Sequence, residues 1–153
     1  MRMSRVSLIA SWALRLIAAL ILFQTLFFKF TGAPESVYIF TVLRMEPWGR
    51  YGSGLAELLA CFLLLIPGTV AWGALLSLGL MGGAIASHLG PLGLDVMGDM
   101  GLLFGLALTV FTCGALLLLL HRRELPPSRR GGRMRERRRY VDGGGPSMAS
   151  HLA

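Results

Sequence analysis

One carboxylate, Glu57, stands near the middle of an apolar run from Ser53 to Pro67, and Arg15 interrupts an earlier apolar run in the same way. An ionisable side chain inside such a run is costly in a membrane unless it has a partner or a function. Counted from the expected helix ends, each of the two lies about 14–15 Å deep, because an α-helix rises about 1.5 Å per residue. We therefore predict that Arg15 and Glu57 form a buried ion pair, which either fixes helix packing or provides the polar floor of a site.

A second group of polar residues stands at the expected helix ends. Lys29 closes the first apolar stretch, His88 closes the third, and Asp99 opens the fourth. Histidine titrates near neutral pH, so His88 beside Asp99 could relay a proton or hydrogen-bond a carbonyl such as that of a quinone. We predict that the three residues form an outer gate above a ligand site. The alternative is that His88 is only an interfacial residue.

Cysteine and metal chemistry receive little support from the sequence. Cys61 and Cys113 lie inside apolar runs and lack CxxC spacing. A dithiol pair at similar depth is conceivable, but two small buried side chains are the common outcome. His88 and the scattered carboxylates do not have the spacing of metal ligands, so no metal is expected.

The elements that must position these residues are membrane helices. The chain is 54% hydrophobic and 15% charged, whereas an ordinary soluble domain is about 25% charged. A bilayer span needs about 20 apolar residues, and four stretches come near that length, at about 6–28, 48–67, 69–89 and 98–120. We predict an all-α, integral membrane four-helix up-down bundle, with a four-span domain over residues 1–120.

Between the first two spans we predict a short interfacial helix that begins at Pro34, since proline favours the first helical position. Tyr38, Trp48 and Tyr51 are aromatic types that favour the membrane interface. This helix is either an anchor without chemistry or a lid over an outer-face pocket.

Glycines at close-contact spacing occur in the third and fourth spans. Gly79 and Gly83 are four residues apart, as are Gly101 and Gly105. This spacing lets membrane helices approach closely, within one chain or between chains. A homo-oligomer is therefore one expected partner state.

Residues 121–153 hold nine arginines and three acidic residues, a formal charge of +6 out of +7 for the chain, with almost no large apolar side chains. We predict a basic disordered cytoplasmic tail, which orients the last span and lies near anionic headgroups. Nucleic acid is not an expected partner, because Tyr140 is the one aromatic residue in the tail.

With four spans, Arg2 and Arg5 share a side with the tail, so both termini are predicted to be cytoplasmic, in a cell (inner or plasma) membrane. A signal peptide is the competing interpretation of the first stretch. Its apolar run is longer than the 7–15 residues of a typical signal core, which favours a retained span.

Three segments resemble the DoxX-like family of small four-helix membrane proteins, with its DoxD and MauE relatives: LRLIAALILFQTLFFKFTGAPE, GSGLAELLACFLLLIPGT and MGGAIASHL. The resemblance covers roughly residues 12–120 and puts Arg15, Lys29, Glu57 and His88 at polar positions of the family. It implies a quinone-adjacent or redox-accessory role. The chain has no CxxC pair, no haem-ligand histidine pairs and no nucleotide motif, so any catalytic electron transfer would need a partner subunit or the quinone itself.

We therefore predict an accessory, redox-linked membrane subunit that binds a quinone or a similar apolar small molecule within the bundle. Arg15 and Glu57 would form the floor of the site, and Lys29, His88 and Asp99 its outer gate. If the protein is an enzyme, it is a quinone-linked oxidoreductase subunit. The alternatives are a non-catalytic membrane scaffold and a small-solute permease. The expected partners are the lipid bilayer, a redox partner subunit and a second copy of the chain.

Overall fold

The computed structural model describes residues 5–122, which form five α-helices and, within that range, no strand. Their bounds are α1 Arg5–Thr31, α2 Pro34–Val42, α3 Trp48–Leu65, α4 Val70–Leu89 and α5 Leu102–His121. The prediction of an all-helical chain is confirmed for these residues. Most of the predicted basic tail falls on residues 123–153, outside the described part of the chain.

Three helices, α1, α4 and α5, are long and apolar enough to cross a membrane. Helices of 20 residues, such as α4 and α5, are about 30 Å long and match the hydrocarbon core of a bilayer. Helix α1 has 27 residues and is about 40 Å long. Large apolar side chains stay exposed along its outer face, among them Ile9, Leu20, Phe23 and Phe27. These are features of a helical membrane protein.

The four long helices pack side by side in a ring. α1 contacts α3 and α5, and α4 contacts the same two helices, while α2 packs against α1 and α3. Successive long helices run in opposite directions, and small and branched apolar side chains fill the centre: Ala18, Leu22, Ala60, Leu64, Val70, Ala74, Val110 and Leu117. We call the end that holds Arg5 and Arg122 the terminal end of the bundle, and the opposite end the loop end.

Close backbone packing joins α3 to α4. A Cβ atom added at Gly73 would lie 2.7 Å from the backbone nitrogen of Leu64, so only glycine fits this position without a shift. The tight turn before α4 passes through Gly68, whose φ of +90° lies in the left-handed region that favours glycine. The turn is closed by the Thr69 hydroxyl, which donates to the carbonyl oxygen of Leu63 at 2.9 Å.

The glycine pairs that the sequence singled out do not make such contacts within the chain. A Cβ atom at Gly79, Gly83 or Gly105 would meet no atom within 4 Å, and Gly101 instead caps α5 with a φ of +81°. The prediction that these glycine pairs let helices pack closely within one chain is therefore wrong. A contact between chains stays a prediction.

Candidate functional site

The Glu57 carboxylate is the charged group that the structure places deepest between two long helices. It lies nine residues after the start of α3 and eight before its end, hence about 12–14 Å from either end. Its side chain is 3% exposed and faces α1. Oε1 accepts a hydrogen bond from Lys29 Nζ, and Oε2 accepts one from the Thr25 hydroxyl at 3.0 Å. Both carboxylate oxygens therefore have a donor on α1.

The sequence explains why these groups meet. Thr25 and Lys29 are four residues apart and share one face of α1. On α3, Gly54 precedes Glu57 by three residues, and a Cβ atom there would lie 3.3 Å from the ring of Phe30. The missing side chain lets the C-terminal part of α1 approach α3 closely. The Lys29–Glu57 pair forms across that approach.

A second cation extends the pair toward the loop end. Arg50 donates through Nη1 to the carbonyl oxygen of Lys29, and through Nη2 and Nε to the Glu46 carboxylate at 2.8 and 2.9 Å. Lys29, Glu46, Arg50 and Glu57 thus form a loop-end charge network with two charges of each sign. Sequence reasoning missed Glu46 and Arg50. Glu46 lies in the turn before α3, so the helical spacing rule does not cover the pair.

Arg15 does not contact Glu57, so the predicted Arg15–Glu57 pair is wrong. Its Nη2 atom lies 3.4 Å from His121 Nε2 at the end of α5, and its guanidinium carbon lies 4.8 Å from the ring centre of Trp12. The Ser11 hydroxyl is 2.8 Å from the same histidine nitrogen. We call Ser11, Arg15 and His121 the terminal-end cluster.

The register of α1 against α3 gives the physical reason for the correction. Cys61 Sγ lies 3.6 Å from the carbonyl oxygen of Ala19, so these two residues are level. Arg15 is one turn from Ala19 toward the terminal end, and Glu57 is one turn from Cys61 toward the loop end. The two charges are therefore about 12 Å apart along the axis. α1 projects past the end of α3. Counting from the first residue of α1 therefore overestimated the depth of Arg15.

His121 was a residue that the sequence analysis missed, because it was assigned to the tail. It is the last residue of α5 and is buried. The available signal was on α1, where Ser11 and Arg15 point one polar face into the bundle and need a partner at that level. The boundary of the tail is corrected accordingly, and α5 includes His121.

The three residues of the predicted outer gate are not joined by any hydrogen bond or ion pair among the described residues. Lys29 binds Glu57, whereas His88 Nδ1 donates to the carbonyl oxygen of Gly93 at 3.0 Å and its ring packs edge-on against Phe104. The Asp99 carboxylate accepts hydrogen bonds from backbone N–H groups instead. Any ligand-binding role of His88 and Asp99 stays a prediction.

Asp99 acts as a cap for the start of α5. Its Oδ1 accepts hydrogen bonds from the backbone N–H groups of Val96 and Gly101 at 2.8 and 3.0 Å, and its Oδ2 accepts one from Leu103 at 2.8 Å. Burial raises the pKa of this carboxyl, but the backbone hydrogen bonds from Leu103, Val96 and Gly101 outweigh it. The pKa of Asp99 is therefore held below its usual range.

Cys61 and Cys113 are free and buried. They lie on α3 and α5, which occupy opposite sides of the ring and do not contact each other, so the structure does not form the dithiol pair considered from the sequence. Within residues 5–122, no group of three or more His, Cys, Asp and Glu side chains could hold a metal ion.

The centre of the bundle is filled by side chains rather than open to a ligand. Leu22, Leu64 and Leu117 are fully buried there. A shallow groove of about 500 Å³ lies on the outer face of α3, lined by Gly52, Leu55, Ala56, Leu58, Leu59 and Phe62. This apolar groove is on the opposite face of α3 from Glu57, because residues two positions apart on a helix point about 200° apart.

Comparisons with protein-family models, with curated proteins and with solved structures found no match. The resemblance to the DoxX-like family therefore stays a prediction from the sequence pattern.

Proposed function

We propose that this chain is a four-span integral membrane protein. In addition to α1, α4 and α5, α3 crosses the membrane, and α2 lies at the interface. Arg50 and Glu57 lower the hydropathy of α3, whose C-terminal part is strongly apolar. Each has a partner of opposite sign within the chain, which lowers the cost of placing them in a membrane. Four crossings put both chain ends on one side, and the arginines near both ends favour the cytoplasm.

The function that we propose is that of an accessory, redox-linked subunit that binds a quinone or a similar apolar small molecule beside the Lys29–Glu57 pair. The observation that carries the proposal is the Glu57 carboxylate, almost completely buried in mid-helix and bonded by Lys29 and Thr25. Ionisable residues at such depth in a membrane usually mark a functional site. The resemblance to DoxX-like proteins supports the redox link.

The ligand would approach from the crevice between α1 and α3, since the centre of the bundle is filled. The Lys29 side chain remains 15% exposed, so one of its N–H groups can donate to a ligand carbonyl while another bonds Glu57. The apolar body of the ligand would lie along α1 and α3. The proposed site is therefore built from Lys29, Thr25 and Glu57, while the described contacts of Arg15, His88 and Asp99 lie at α5 and the α4–α5 loop.

The test is binding of a short-chain benzoquinone to the full chain in lipid nanodiscs, measured by isothermal titration. Glu57→Gln removes the charge that holds Lys29 in place, so binding should be lost. Glu35→Gln is the matched control, because Glu35 is an exposed carboxylate on α2, and binding should be unchanged. Equal affinity in native protein and Glu57→Gln, with both inserted and folded, would reject the site. Mass spectrometry of small molecules that copurify with native lipids identifies the physiological ligand class.

A non-catalytic scaffold is the second candidate, and the contacts of the polar residues favour it. Lys29 and Glu57 join α1 to α3, and Arg15 and His121 join α1 to α5. On this view the charges only fix the bundle, and no quinone binds.

A permease would need a solute path along the bundle centre, where Leu22, Leu64 and Leu117 now pack. Solute flux into vesicles that contain only this chain would support the permease.

A further inference from the structure

The loop between α4 and α5, residues 90–101, exposes apolar side chains although it lies outside the helices. Met100 is 93% exposed, Met97 is 59% exposed, and Leu94 is also exposed. Leu89 and Leu102 flank the loop on α4 and α5 and are exposed as well. Exposed apolar side chains therefore occur at the end of α4, in the loop and at the start of α5, with the exposed Asp95 among them.

The backbone of the loop turns these side chains outward at a cost. Met97 and Met100 have φ angles of 56° and 53°, a left-handed conformation that side chains other than Gly, Asn and Asp seldom adopt. Asp99 accepts hydrogen bonds from backbone N–H groups before and after it, and Asp95 accepts one from the N–H of Met100 at 3.2 Å. The two carboxylates thus satisfy three backbone donors of the loop, those of Val96, Met100 and Gly101.

Two buried side chains fix the loop against the bundle. Val96 is fully buried and Leu92 is nearly so, while His88 donates from α4 to the carbonyl oxygen of Gly93. Buried apolar side chains therefore alternate with exposed ones along the loop. The exposed methionines belong to a segment that is packed against the bundle. The loop therefore holds a defined conformation in which Met97 and Met100 face outward.

We infer that this loop inserts into the boundary between lipid headgroups and acyl chains, with Met97 and Met100 in contact with lipid. α4 and α5 have the length of the hydrocarbon core, which puts their connection at that boundary. Irregular backbone does not occur exposed to the hydrocarbon core, whereas at the headgroup level water reaches the donors that Asp95 and Asp99 leave open. The loop thereby anchors the α4–α5 hairpin at the loop end.

The test uses an environment-sensitive fluorophore on single introduced cysteines in the full chain, in nanodiscs of phosphatidylcholine and phosphatidylglycerol. Met97→Cys and Met100→Cys are the test positions. Glu35→Cys on α2 is the water-exposed reference, and Leu108→Cys in mid-α5 is the lipid-exposed reference. The unsubstituted chain serves as the blank, because Cys61 and Cys113 are buried. Quenching is measured with aqueous iodide and with phosphatidylcholine brominated close to the headgroup.

Insertion predicts that iodide quenches the labels at 97 and 100 several-fold less than the label at 35. It also predicts that the headgroup-proximal bromines quench them more than they quench the label at 108. Quenching by iodide as strong as at position 35, at both methionine positions, would overturn the inference. Two test positions guard against disturbance of the loop by one label, and circular dichroism confirms that each variant keeps its helices.

Discussion

Two polar regions hold α1 in the bundle, and they differ in chemistry and in depth. The Lys29–Glu57 pair lies between α1 and α3, with the carboxylate at mid-helix and bonded by two donors. The terminal-end cluster of Ser11, Arg15 and His121 lies between α1 and α5 at the end of α5, and its three residues are buried. The first region joins the partly exposed ammonium of Lys29 to the buried carboxylate of Glu57, whereas the described contacts of the second involve an imidazole. Loss of a partner should therefore cost more in the first region.

The largest effect is expected from Glu57→Leu, which leaves Lys29 without its carboxylate. Breaking a buried pair by removing one partner typically costs about 3–5 kcal/mol. The double variant Lys29→Met with Glu57→Leu removes both charges and should recover most of that loss. Unfolding by SDS titration in bicelles measures both free energies. If the double variant is as unstable as the single one, the two side chains are not coupled and the comparison fails.

Gly73→Ala tests whether charge or close packing holds α3 more firmly. The new methyl group would lie 2.7 Å from a backbone atom of Leu64, and such overpacking typically costs about 1–3 kcal/mol. Gly79→Ala is the matched control, because its methyl group would meet open space, and helix propensity favours it by about 0.5–1 kcal/mol. The same unfolding titration gives both values. Equal effects at the two glycines would show that α4 does not approach α3 as described.

Ser11→Ala probes the terminal-end cluster. It removes the hydroxyl that lies 2.8 Å from His121 Nε2, and a lost hydrogen bond of this kind costs about 1 kcal/mol. Ser77→Ala is the matched control, since that buried hydroxyl donates only to the carbonyl of Gly73 in its own helix, and it should change stability less. A Ser11 variant as stable as the Ser77 variant would remove the terminal-end cluster from the account.

The smallest effect concerns pH and the loop end. The pKa of Asp99 is lower in the folded protein than the ordinary value of about 3.9. Its contribution to the free energy of unfolding is therefore complete above that ordinary pKa. It is lost as the pH falls through the folded-state pKa. Native protein should therefore melt at a higher temperature than Asp99→Asn at neutral pH, and the difference should shrink in acid. A difference that persists unchanged in acid would contradict the assigned cap, and Glu35→Gln should show no such difference.

The positions of the helices could be predicted from the sequence, whereas the pairing between them could not. Apolar length and the Pro67–Gly68 turn indicate the helices directly. Glu57 stands out because a lone carboxylate interrupts an apolar run. The choice of its partner depends on the register of α1 against α3. The sequence-based prediction assumed that the two helices end at the same level, although α1 is longer than α3. The 27 residues of α1 place Arg15 at the end of α5 and bring Lys29 to Glu57 instead.

Asp99 shows how a structural residue can be mistaken for a functional one. Asp99 and His88 both stand near helix ends in the sequence, but a shared level in the bundle does not determine which way a side chain turns. An aspartate three residues before Leu102, the first residue of α5, resembles the carboxylates that satisfy free N–H groups at helix starts. That local signal was present in the sequence and predicts the hydrogen bonds that Asp99 accepts.

Lys29 is the only lysine of the chain, so the central contact can be measured directly. Solid-state NMR on protein in lipid bilayers, labelled with ¹⁵N-lysine and ¹³C-glutamate, reports whether Lys29 Nζ dephases a glutamate carboxyl carbon. The Lys29–Glu57 pair predicts dephasing of one carboxyl resonance, and the loss of that dephasing in Glu57→Gln. Absence of dephasing in the native protein, or dephasing that survives in Glu57→Gln, would contradict the Lys29–Glu57 pair.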